Sequence, residues 1–272
     1  MVLNLGKPIN LNFKDQRAFI SGSTSGIGYA IAQSLAYLGC EVILNGRAQD
    51  SVDKAITKLC KEAPGAVCSG LVCDFSETHQ VNALVETLEG VDILVNNVGI
   101  YTDQDFFETT DESWNKQWQV NVMSGMRLSK ALLPSMLEKN YGRILFISSE
   151  CAVLTPSNLL AYSVTKTALL GLSKGLSGLT KGSKVTVNSL LPGSTLTEGA
   201  ENFLEAVAHK TGQSVEQVEN EFFQTDRPNS LIQRFETVQE IADAAVFLCS
   251  PSASAIKGTA LRVDGGSIGG LF

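Results

Sequence analysis

The sequence contains only two histidines, His79 and His209, among its 272 residues. A metal centre held by several imidazoles cannot be built from them, so we expect no metal site of that kind. The chain also lacks an apolar run long enough to span a membrane. Its first eight residues lack the basic region and long apolar run of a secretory signal. We therefore expect a cytoplasmic protein that has no membrane partner.

An excess of positive charge is also absent. The 21 Lys and Arg residues are outnumbered by 28 Asp and Glu residues, which gives a net charge of −7 at pH 7. Such a chain offers no electrostatic surface for nucleic acid, and we expect no nucleic-acid partner. The six cysteines are scattered, none forms a CxxC pair, and most lie among apolar residues. This usage is typical of reduced, mostly buried thiols.

Short apolar segments alternate with helix-compatible segments along the whole chain. This alternation predicts a doubly wound parallel sheet, a Rossmann fold with three α/β/α layers, in a single dinucleotide-binding domain of residues 1–272. A polar, partly helical stretch at about 195–231 interrupts the alternation, and we interpret it as a substrate lid. The predicted strands cover 17–20, 40–45, 66–73, 92–97, 143–149, 185–190 and 259–263, and the main helices cover about 27–38, 50–62, 78–88, 112–137, 158–179 and 237–249.

The first predicted strand runs directly into the segment Ser21-Gly22-Ser23-Thr24-Ser25-Gly26-Ile27-Gly28. Gly22 allows a sharp turn in which φ can be positive. Gly26 and Gly28 remove side chains where the backbone must approach a ligand and where the helix must pack on the sheet. The N-terminus of the helix that follows offers free N–H groups to a pyrophosphate. A glycine triplet alone is weak evidence, but its place between a strand and a helix favours a dinucleotide site over a simple loop.

Tyr162 and Lys166 lie four residues apart on one predicted helix, so their side chains share a face. A phenol titrates near pH 10, and a nearby cation lowers its pKa. The two residues are therefore a candidate general acid/base pair. Ser149 ends the preceding strand and could hydrogen-bond an oxygen that becomes negative during a reaction. A surface tyrosine beside a solvated lysine would show the same spacing, and this alternative stays open for the pair alone.

In combination these motifs resemble the short-chain dehydrogenase/reductase family, in the single-domain branch that includes enzymes similar to 3-oxoacyl-carrier-protein reductase. The resemblance covers about residues 15–266. It rests on five motifs. Segment 21–28 resembles the family's TGxxxGIG turn, with Ser in place of Thr, and segment 96–99 resembles its NNAG element, with Val in place of Ala. Segments 162–166, 192–197 and 263–266 resemble its YxxxK pair, its PGxxxT segment and its VDGG segment, respectively.

The resemblance implies a set of functional residues. The implied catalytic residues are Asn121, Ser149, Tyr162 and Lys166. Tyr162 would act as general acid/base, Lys166 would lower the pKa of Tyr162 and hold the nicotinamide ribose, and Asn121 would anchor a relay water. The implied cofactor-binding residues are Gly22, Ser23, Thr24, Ser25, Gly26, Ile27, Gly28, Arg47, Asp74, Phe75, Asn97, Gly99, Tyr162, Lys166, Pro192, Gly193, Thr195 and Thr197. The implied reaction is hydride transfer between a nicotinamide and a carbonyl or alcohol substrate.

The residues at the end of the second predicted strand indicate which nicotinamide cofactor is used. An NAD-dependent enzyme usually places a carboxylate here to bind the ribose 2′-hydroxyl, but this chain has Gly46. Arg47 follows, and a guanidinium matches a phosphate with two hydrogen bonds. We therefore predict that NADP(H) is preferred and that NAD(H) is possible. An exposed loop arginine without a ligand is the alternative.

The two long predicted helices that hold Asn121 and Tyr162 carry more apolar residues than contact with one face of the sheet requires. This excess favours burial of a second side of each helix. We therefore expect a homotetramer, an assembly that is common in the family. These apolar residues are Trp114, Trp118, Val122, Met126, Leu132 and Leu133 on one helix and Leu169, Leu170, Leu172 and Leu176 on the other.

Two other functions compete with a dehydrogenase or reductase. One is a catalytically silent nicotinamide-binding sensor or scaffold, and the other is a different reaction on the same fold, such as dehydration or dehalogenation. The presence of Ser149, Tyr162 and Lys166 favours the oxidoreductase. The substrate would be selected by segments 100–107 and 151–160 and by the lid, none of which carries a recognisable motif.

Overall fold

The computed structural model describes residues 9–270 of the chain. The expectation that no secretory signal is present concerns residues 1–8, which lie outside the described part. Seven parallel strands form one sheet in the order β3-β2-β1-β4-β5-β6-β9. They are β1 (Arg17–Ile20), β2 (Glu41–Gly46), β3 (Cys68–Val72), β4 (Ile93–Asn96), β5 (Gly142–Ile147), β6 (Val185–Pro192) and β9 (Ala260–Val263), while β7 (Thr195–Leu196) and β8 (Glu236–Thr237) form a separate parallel pair.

Helices cover both faces of the sheet, so the predicted doubly wound parallel fold is confirmed. The helices are α1 (Gly26–Tyr37), α2 (Gln49–Glu62), α3 (Thr78–Thr87), α4 (Asp111–Trp118), α5 (Ser124–Glu138), α6 (Cys151–Leu154), α7 (Leu160–Leu179), α8 (Glu198–Thr211), α9 (Val215–Thr225) and α10 (Val238–Cys249), with a π turn at Gln119–Met123 and short 3₁₀ turns at Phe106–Glu108, Ser157–Leu159 and Pro251–Ala253.

The central strands are apolar because both of their faces are buried. Every residue of β4, β5 and β6 is buried, and the helices bury two separate apolar clusters against the sheet. Ile31 and Leu35 of α1 lie in one cluster, with side chains of α2 and α10. Leu128 of α5 and Leu169 of α7 lie in the other, with side chains of α3. The sheet therefore forms the buried middle layer of the protein, and the loops extend from the ends of its strands.

The order of the strands determines where a ligand can bind. β1 pairs with β2 on one side and with β4 on the other, so the direction of winding reverses between β1 and β4. At such a reversal the loops that leave the two carboxyl ends diverge and open a crevice. The glycine turn after β1 and the residues after β4 lie at this crevice.

The predicted helix over 112–137 is interrupted. It runs from Asp111 to Glu138, but the backbone widens into a π turn at Gln119–Met123, which contains Asn121. No apolar or glycine pattern marks such a turn in advance. The helix expected from 158 begins instead at Leu160 after a 3₁₀ turn, and α6 was not predicted. The sequence Thr237-Val238-Gln239-Glu240 predicts a capping box. The structure confirms it at the start of α10.

The stretch at about 195–231 forms β7, α8 and α9. These elements bury their own small apolar cluster, in which Leu204 of α8 packs with Val218 and Phe223 of α9 and with Phe235. The Phe222, Phe223 and Phe235 rings lie with their centroids 5.1 Å apart. The segment is thus an ordered unit beside the sheet. Among residues 9–270, every helix is too short or too polar to cross a lipid bilayer.

Candidate active site

The glycine turn after β1 is held against the end of β4. Gly22 and Gly26 adopt positive φ angles of 61° and 58°. The Nδ2 of Asn97 donates to the carbonyl oxygens of Ser21 and Gly22, at 2.9 and 2.8 Å. A Cβ atom on Gly28 would overlap this Nδ2 and lie 2.5 Å from the carbonyl oxygen of Gly22. Gly28 is therefore required because Asn97 and the turn occupy the space that a side chain would need.

Ser23 supports the same turn from inside the protein. Its side chain is buried, its Oγ donates to the carbonyl of Ile20 at 2.7 Å, and it accepts from the Asn45 N–H at 2.9 Å. The Oδ1 of Asn45 accepts from the N–H of Gly22 at 2.9 Å. The Ser23 hydroxyl is thus already engaged by protein, and Ser23 stays a predicted cofactor-binding residue.

The N-terminus of α1 fits an anionic group. Ser25 is the N-cap residue, yet no side chain caps the first turn, and the first turn carries no acidic residue. The amide groups at Ile27 and Gly28 are therefore not used by a side-chain cap, and no carboxylate offsets the positive end of the helix dipole. In the same turn Ser25 is exposed and Thr24 is partly buried. These features suit the pyrophosphate of a dinucleotide.

The end of β2 has no room for a carboxylate side chain. A Cβ atom on Gly46 would lie 2.6 Å from the Cγ2 of Thr24 and 3.1 Å from the Cγ2 of Val52. An aspartate at this position would have to displace Thr24. The next residue, Arg47, is exposed, so its guanidinium can reach a ligand at this end of the sheet.

Asp74 lies near Arg47 at the end of β3. Burial acts to raise the pKa of Asp74, but hydrogen bonds from the N–H and hydroxyl of Ser76, together with the charges of Arg47 and Lys116, lower that pKa overall. Lys116 is a second cation at this position that sequence reasoning missed. The ring of Phe75 is buried in the core, so the expected cofactor contact of Phe75 cannot be made by its side chain.

The structure brings Ser149, Tyr162 and Lys166 together at the carboxyl end of β5. Lys166 is 3% exposed, its Nζ lies 5.4 Å from the centre of the Tyr162 ring, and it donates to the carbonyl of Ile147 at 2.9 Å. Ser149 is also buried, and its Oγ accepts from the N–H of Cys151 at 3.1 Å. The alternative of a surface tyrosine beside a solvated lysine is therefore wrong.

Burial controls the protonation of both groups on α7. It raises the pKa of the Tyr162 hydroxyl, and neighbouring Cys151 acts in the same direction, whereas Ser149 acts to lower it. Burial also lowers the pKa of Lys166 to about 8. Desolvation therefore outweighs the lowering of the Tyr162 pKa that was expected from Lys166, and the overall direction is upward. Tyr162 is a protonated phenol at neutral pH.

Asn121 is engaged entirely by protein. Its Oδ1 accepts from the N–H of Ile100 at 2.8 Å, and its Nδ2 donates to the carbonyl of Ile100 and to the Oγ1 of Thr165, both at 2.9 Å. The residue therefore ties the segment after β4 to α7. Gly99 lies in this segment, and a Cβ atom on it would be 3.2 Å from the Nζ of Lys166. The lack of a side chain at Gly99 leaves space beside that ammonium group.

The segment after β6 faces the glycine turn. Pro192 is the last residue of β6, and the N–H of Gly193 donates to the carbonyl of Val263 at 2.9 Å. Thr195 donates its hydroxyl to the carbonyl of Gly193 at 3.1 Å. Thr197 caps α8, and its methyl group lies 3.5 Å from where a Cβ on Gly26 would stand. The PGxxxT segment and the start of α1 are thus neighbours across the crevice.

A buried acidic cluster beside Ser149 was missed. Glu150 is 2% exposed, and its Oε1 accepts from the Nε of Arg227 at 2.5 Å and from the Ser194 hydroxyl at 3.3 Å. Glu236 lies nearby and is 4% exposed. Its burial, with the charges of Glu150 and Asp264, raises its pKa to about 8. No sequence pattern indicates this cluster, because Arg227 lies 77 residues from Glu150.

The chain is similar to known proteins over most of its length. The family model described as enoyl-(acyl carrier protein) reductase matches residues 22–267. An uncharacterized oxidoreductase of Bacillus subtilis, YvrD, is 46% identical over 266 residues, which is 97% of this chain and 100% of YvrD. The D-beta-hydroxybutyrate dehydrogenase of Rhizobium meliloti is 33% identical over 257 residues, 92% of this chain and 97% of that protein.

A solved structure is also similar over most of the chain. It is the L-sorbose reductase of Gluconobacter frateurii, complexed with NADPH and L-sorbose, with a TM-score of 0.91 and 31% identity. The match covers 97% of this chain and 100% of the reductase chain. The likeness therefore extends over both the sheet and the elements between β6 and β9.

Replacing Glu236 by Gln is expected to stabilise the protein at neutral pH and not at acidic pH. The pKa of Glu236 rises from its ordinary value of 4.5 to about 8 on folding, so the folded protein holds a proton that the unfolded chain releases. The contribution of Glu236 to the free energy of unfolding is therefore fully present below about pH 4.5 and is lost as the pH rises towards 8, because the unfolded chain ionises over this range while the folded protein keeps the proton. Gln cannot ionise, so E236Q is expected to gain about 1–3 kcal/mol over wild type by pH 8.

Urea unfolding of both proteins at about pH 5 and pH 8 measures this difference in the free energy of unfolding. The matched control is Glu205→Gln on α8, where the side chain is exposed and little change is expected at either pH. A difference between E236Q and wild type that is the same at both pH values would contradict the prediction.

Proposed function

The chain belongs to the short-chain dehydrogenase/reductase family, and we propose that it transfers hydride between NADP(H) and a carbonyl or alcohol substrate. As a member of this family it is an oxidoreductase that acts on CH–OH groups. The observation that carries the proposal is the meeting of Ser149, Tyr162 and a buried Lys166 beside a glycine turn whose helix N-terminus is uncapped.

Tyr162 is proposed to move the proton. When bound, the nicotinamide supplies or accepts the hydride. Because burial raises the pKa of Tyr162, its hydroxyl keeps its proton at neutral pH and can donate it to the substrate oxygen during reduction. The Ser149 hydroxyl lies beside it and would hydrogen-bond that oxygen while negative charge develops.

Lys166 and Asn121 are proposed to support this transfer in different ways. The ammonium of Lys166 has three N–H donors and uses one on the Ile147 carbonyl, which leaves donors for a ribose hydroxyl. Its charge also favours the phenolate once Tyr162 has given up its proton. Asn121 would act by positioning, since its amide is fully engaged with Ile100 and Thr165. A relay water there would have to be held by the backbone of Asn121.

The cofactor is proposed to lie along the crevice from the end of β3 to the end of β6, against the residues predicted from the sequence. Preference for NADP(H) is supported by two features at the end of β2. The crowding of Gly46 by Thr24 and Val52 disfavours a carboxylate that would repel a 2′-phosphate. The exposed guanidinium of Arg47 follows immediately and can pair with that phosphate.

The segment at about 195–231 is proposed to be a substrate lid within a single domain. Its α8 and α9 form their own apolar cluster, and Arg227, just after α9, pairs with Glu150 next to Ser149. The first turn of α8 lies beside the glycine turn through Thr197.

Tyr101 packs edge-on against Tyr162 with ring centres 5.8 Å apart and is 68% exposed. This exposed ring favours a substrate that carries an apolar portion.

Replacing Tyr162 by Phe is expected to lower turnover by about 10²–10⁴-fold, because the ring remains but the transferable proton is lost. Affinity for the cofactor should persist. The measurement is NADPH oxidation with a panel of ketones and aldehydes, paired with a fluorescence titration of NADPH. Tyr37→Phe is the matched control, since Tyr37 is an exposed tyrosine on α1. Turnover of Y162F close to that of wild type on a good substrate would refute the assigned role.

Replacing Arg47 by Ala is expected to raise KM for NADPH by about tenfold or more, because a charged hydrogen-bond pair with the 2′-phosphate is lost. KM for NADH should stay nearly unchanged. The matched control is Lys54→Ala, which removes the same charge from the exposed side of α2. A wild-type enzyme that prefers NADH, or an R47A variant whose two KM values rise together, would count against this role of Arg47.

A homotetramer is proposed from the partly exposed apolar side chains on α4, α5 and α7. Val122, Leu132, Leu133 and Leu169 are buried within one chain, but six of the predicted apolar residues stay partly exposed, namely Trp114, Trp118, Met126, Leu170, Leu172 and Leu176. Partly exposed apolar side chains along neighbouring helices suit contact with a second copy. Light scattering at micromolar concentration is expected to give four times the mass of the 29.1 kDa chain, and a monomer would contradict the proposal.

A further inference from the structure

Two thiols that are separated in the sequence face each other at the edge of the sheet. Cys60 lies in the last turn of α2 and is exposed, and Cys68 begins the edge strand β3 and is partly buried. Their Sγ atoms are 2.8 Å apart, and both are free thiols. A disulfide has an S–S length of about 2.05 Å, so a shift of less than about 1 Å would bring the two sulfur atoms to bonding distance.

We propose that Cys60 and Cys68 form a reversible intramolecular disulfide, an oxidation site separate from the candidate active site. Exposed Cys60 is the thiol that an oxidant reaches first, and Cys68 is the partner that resolves the oxidised sulfur. This proposal does not depend on the proposed enzymatic function.

The local structure holds the two sulfur atoms in place. The chain between them turns back at Gly65, whose φ is 88°, and the N–H of Ala66 donates to the carbonyl of Ala63 at 3.1 Å. Leu59 and Ala63 on either side of Cys60 are buried in the core, and Cys68 pairs in register with Val42 of β2. Because folding already holds the backbones of Cys60 and Cys68 in place, closing the disulfide would cost little further conformational entropy.

The proposed oxidant is hydrogen peroxide. The thiolate of Cys60 attacks a peroxide oxygen, the O–O bond breaks, and water leaves, so that Cys60 becomes a sulfenic acid. The sulfur of Cys68 then attacks the sulfur of Cys60, the S–O bond breaks, and a second water leaves with the proton of Cys68. In total two thiols are oxidised to one disulfide and one peroxide is reduced to two waters. A dithiol reductant restores both thiols by exchange.

The order of the two steps follows from the surroundings of the sulfur atoms. Burial and the hydrogen bond with Cys60 raise the pKa of Cys68 to about 11, so Cys68 is little ionised at neutral pH. Its low thiolate content makes it a poor first target for peroxide. The other four cysteines, Cys40, Cys73, Cys151 and Cys249, are buried and serve as internal controls.

The pair lies far from the proposed cofactor contacts. Arg47 precedes α2, whose fourteen residues span roughly 21 Å, and Cys60 is near the far end of that helix. Asp74 likewise follows the carboxyl end of β3, whereas Cys68 begins the strand. We therefore expect oxidation to raise thermal stability, by constraining the unfolded chain, without requiring any change at the candidate active site.

The test treats the purified full-length protein with a modest excess of hydrogen peroxide and maps its peptides by mass spectrometry without reduction. The expected product is a cross-linked peptide that joins Cys60 to Cys68 and has lost two hydrogen atoms, with the other four thiols still free. The thermal midpoint is expected to rise by several degrees and to return after treatment with dithiothreitol.

Two matched variants separate the roles of the thiols. Cys60→Ser is expected to give no cross-link, no rise in the thermal midpoint and an unmodified Cys68 at the same peroxide dose. Cys68→Ser is expected to accumulate sulfenic and then sulfinic acid at Cys60, because the resolving thiol is gone. Wild-type protein that instead accumulates sulfinic acid at Cys60 with Cys68 free, or that forms dimers linked through Cys60, would overturn the proposal.

Discussion

The close approach of the glycine turn to the end of β4 is the constraint on which the candidate site depends. Two strands of one parallel sheet bring these segments together, and the amide of Asn97 holds them by donating to the carbonyl oxygens of Ser21 and Gly22. Space for that amide exists only because Gly28 has no side chain. The same contact fixes where α1 begins, and therefore where its uncapped amide groups point. It also fixes the direction in which the chain leaves β4, towards Gly99 beside Lys166.

A second constraint is that water has little access to the reactive groups, since Lys166 and Ser149 are buried and Tyr162 is partly buried. Burial disfavours charge on both Tyr162 and Lys166, which raises the pKa of the first and lowers the pKa of the second. The acidic cluster beside Ser149 obeys the same rule. Glu150 pairs with Arg227, whereas Glu236 holds a proton up to about pH 8. One guanidinium can neutralise one carboxylate, so the second acid stays neutral in the folded protein.

Sequence patterns predicted the features that are local in the chain. Short apolar runs identified the strands of the main sheet, the glycine turn was predicted between β1 and α1, and the capping box at Thr237 was predicted to the residue. The features that were missed depend on contacts that the order of residues in the chain does not reveal. Arg227 reaches Glu150 across 77 residues, and Cys60 meets Cys68 only because α2 folds back on β3. The upward direction of the Tyr162 pKa was not predicted, because spacing on a helix reveals a neighbouring charge and does not reveal desolvation.

The burial of Lys166 also bears on the choice between an enzyme and a silent binding protein. Removing an ammonium from water is unfavourable unless hydrogen bonds replace the lost solvation. Within residues 9–270, the Nζ of Lys166 has one hydrogen-bond acceptor, the Ile147 carbonyl, although an ammonium carries three donors. A lysine that served only the fold would be stabilised by leaving the interior or by gaining a carboxylate partner. Here Gly99 instead keeps space open beside the ammonium, and Tyr162 and Ser149 lie next to it. An arrangement that is costly in the protein alone, and that places Tyr162 and Ser149 beside the ammonium, supports the proposed proton transfer over a silent binding role.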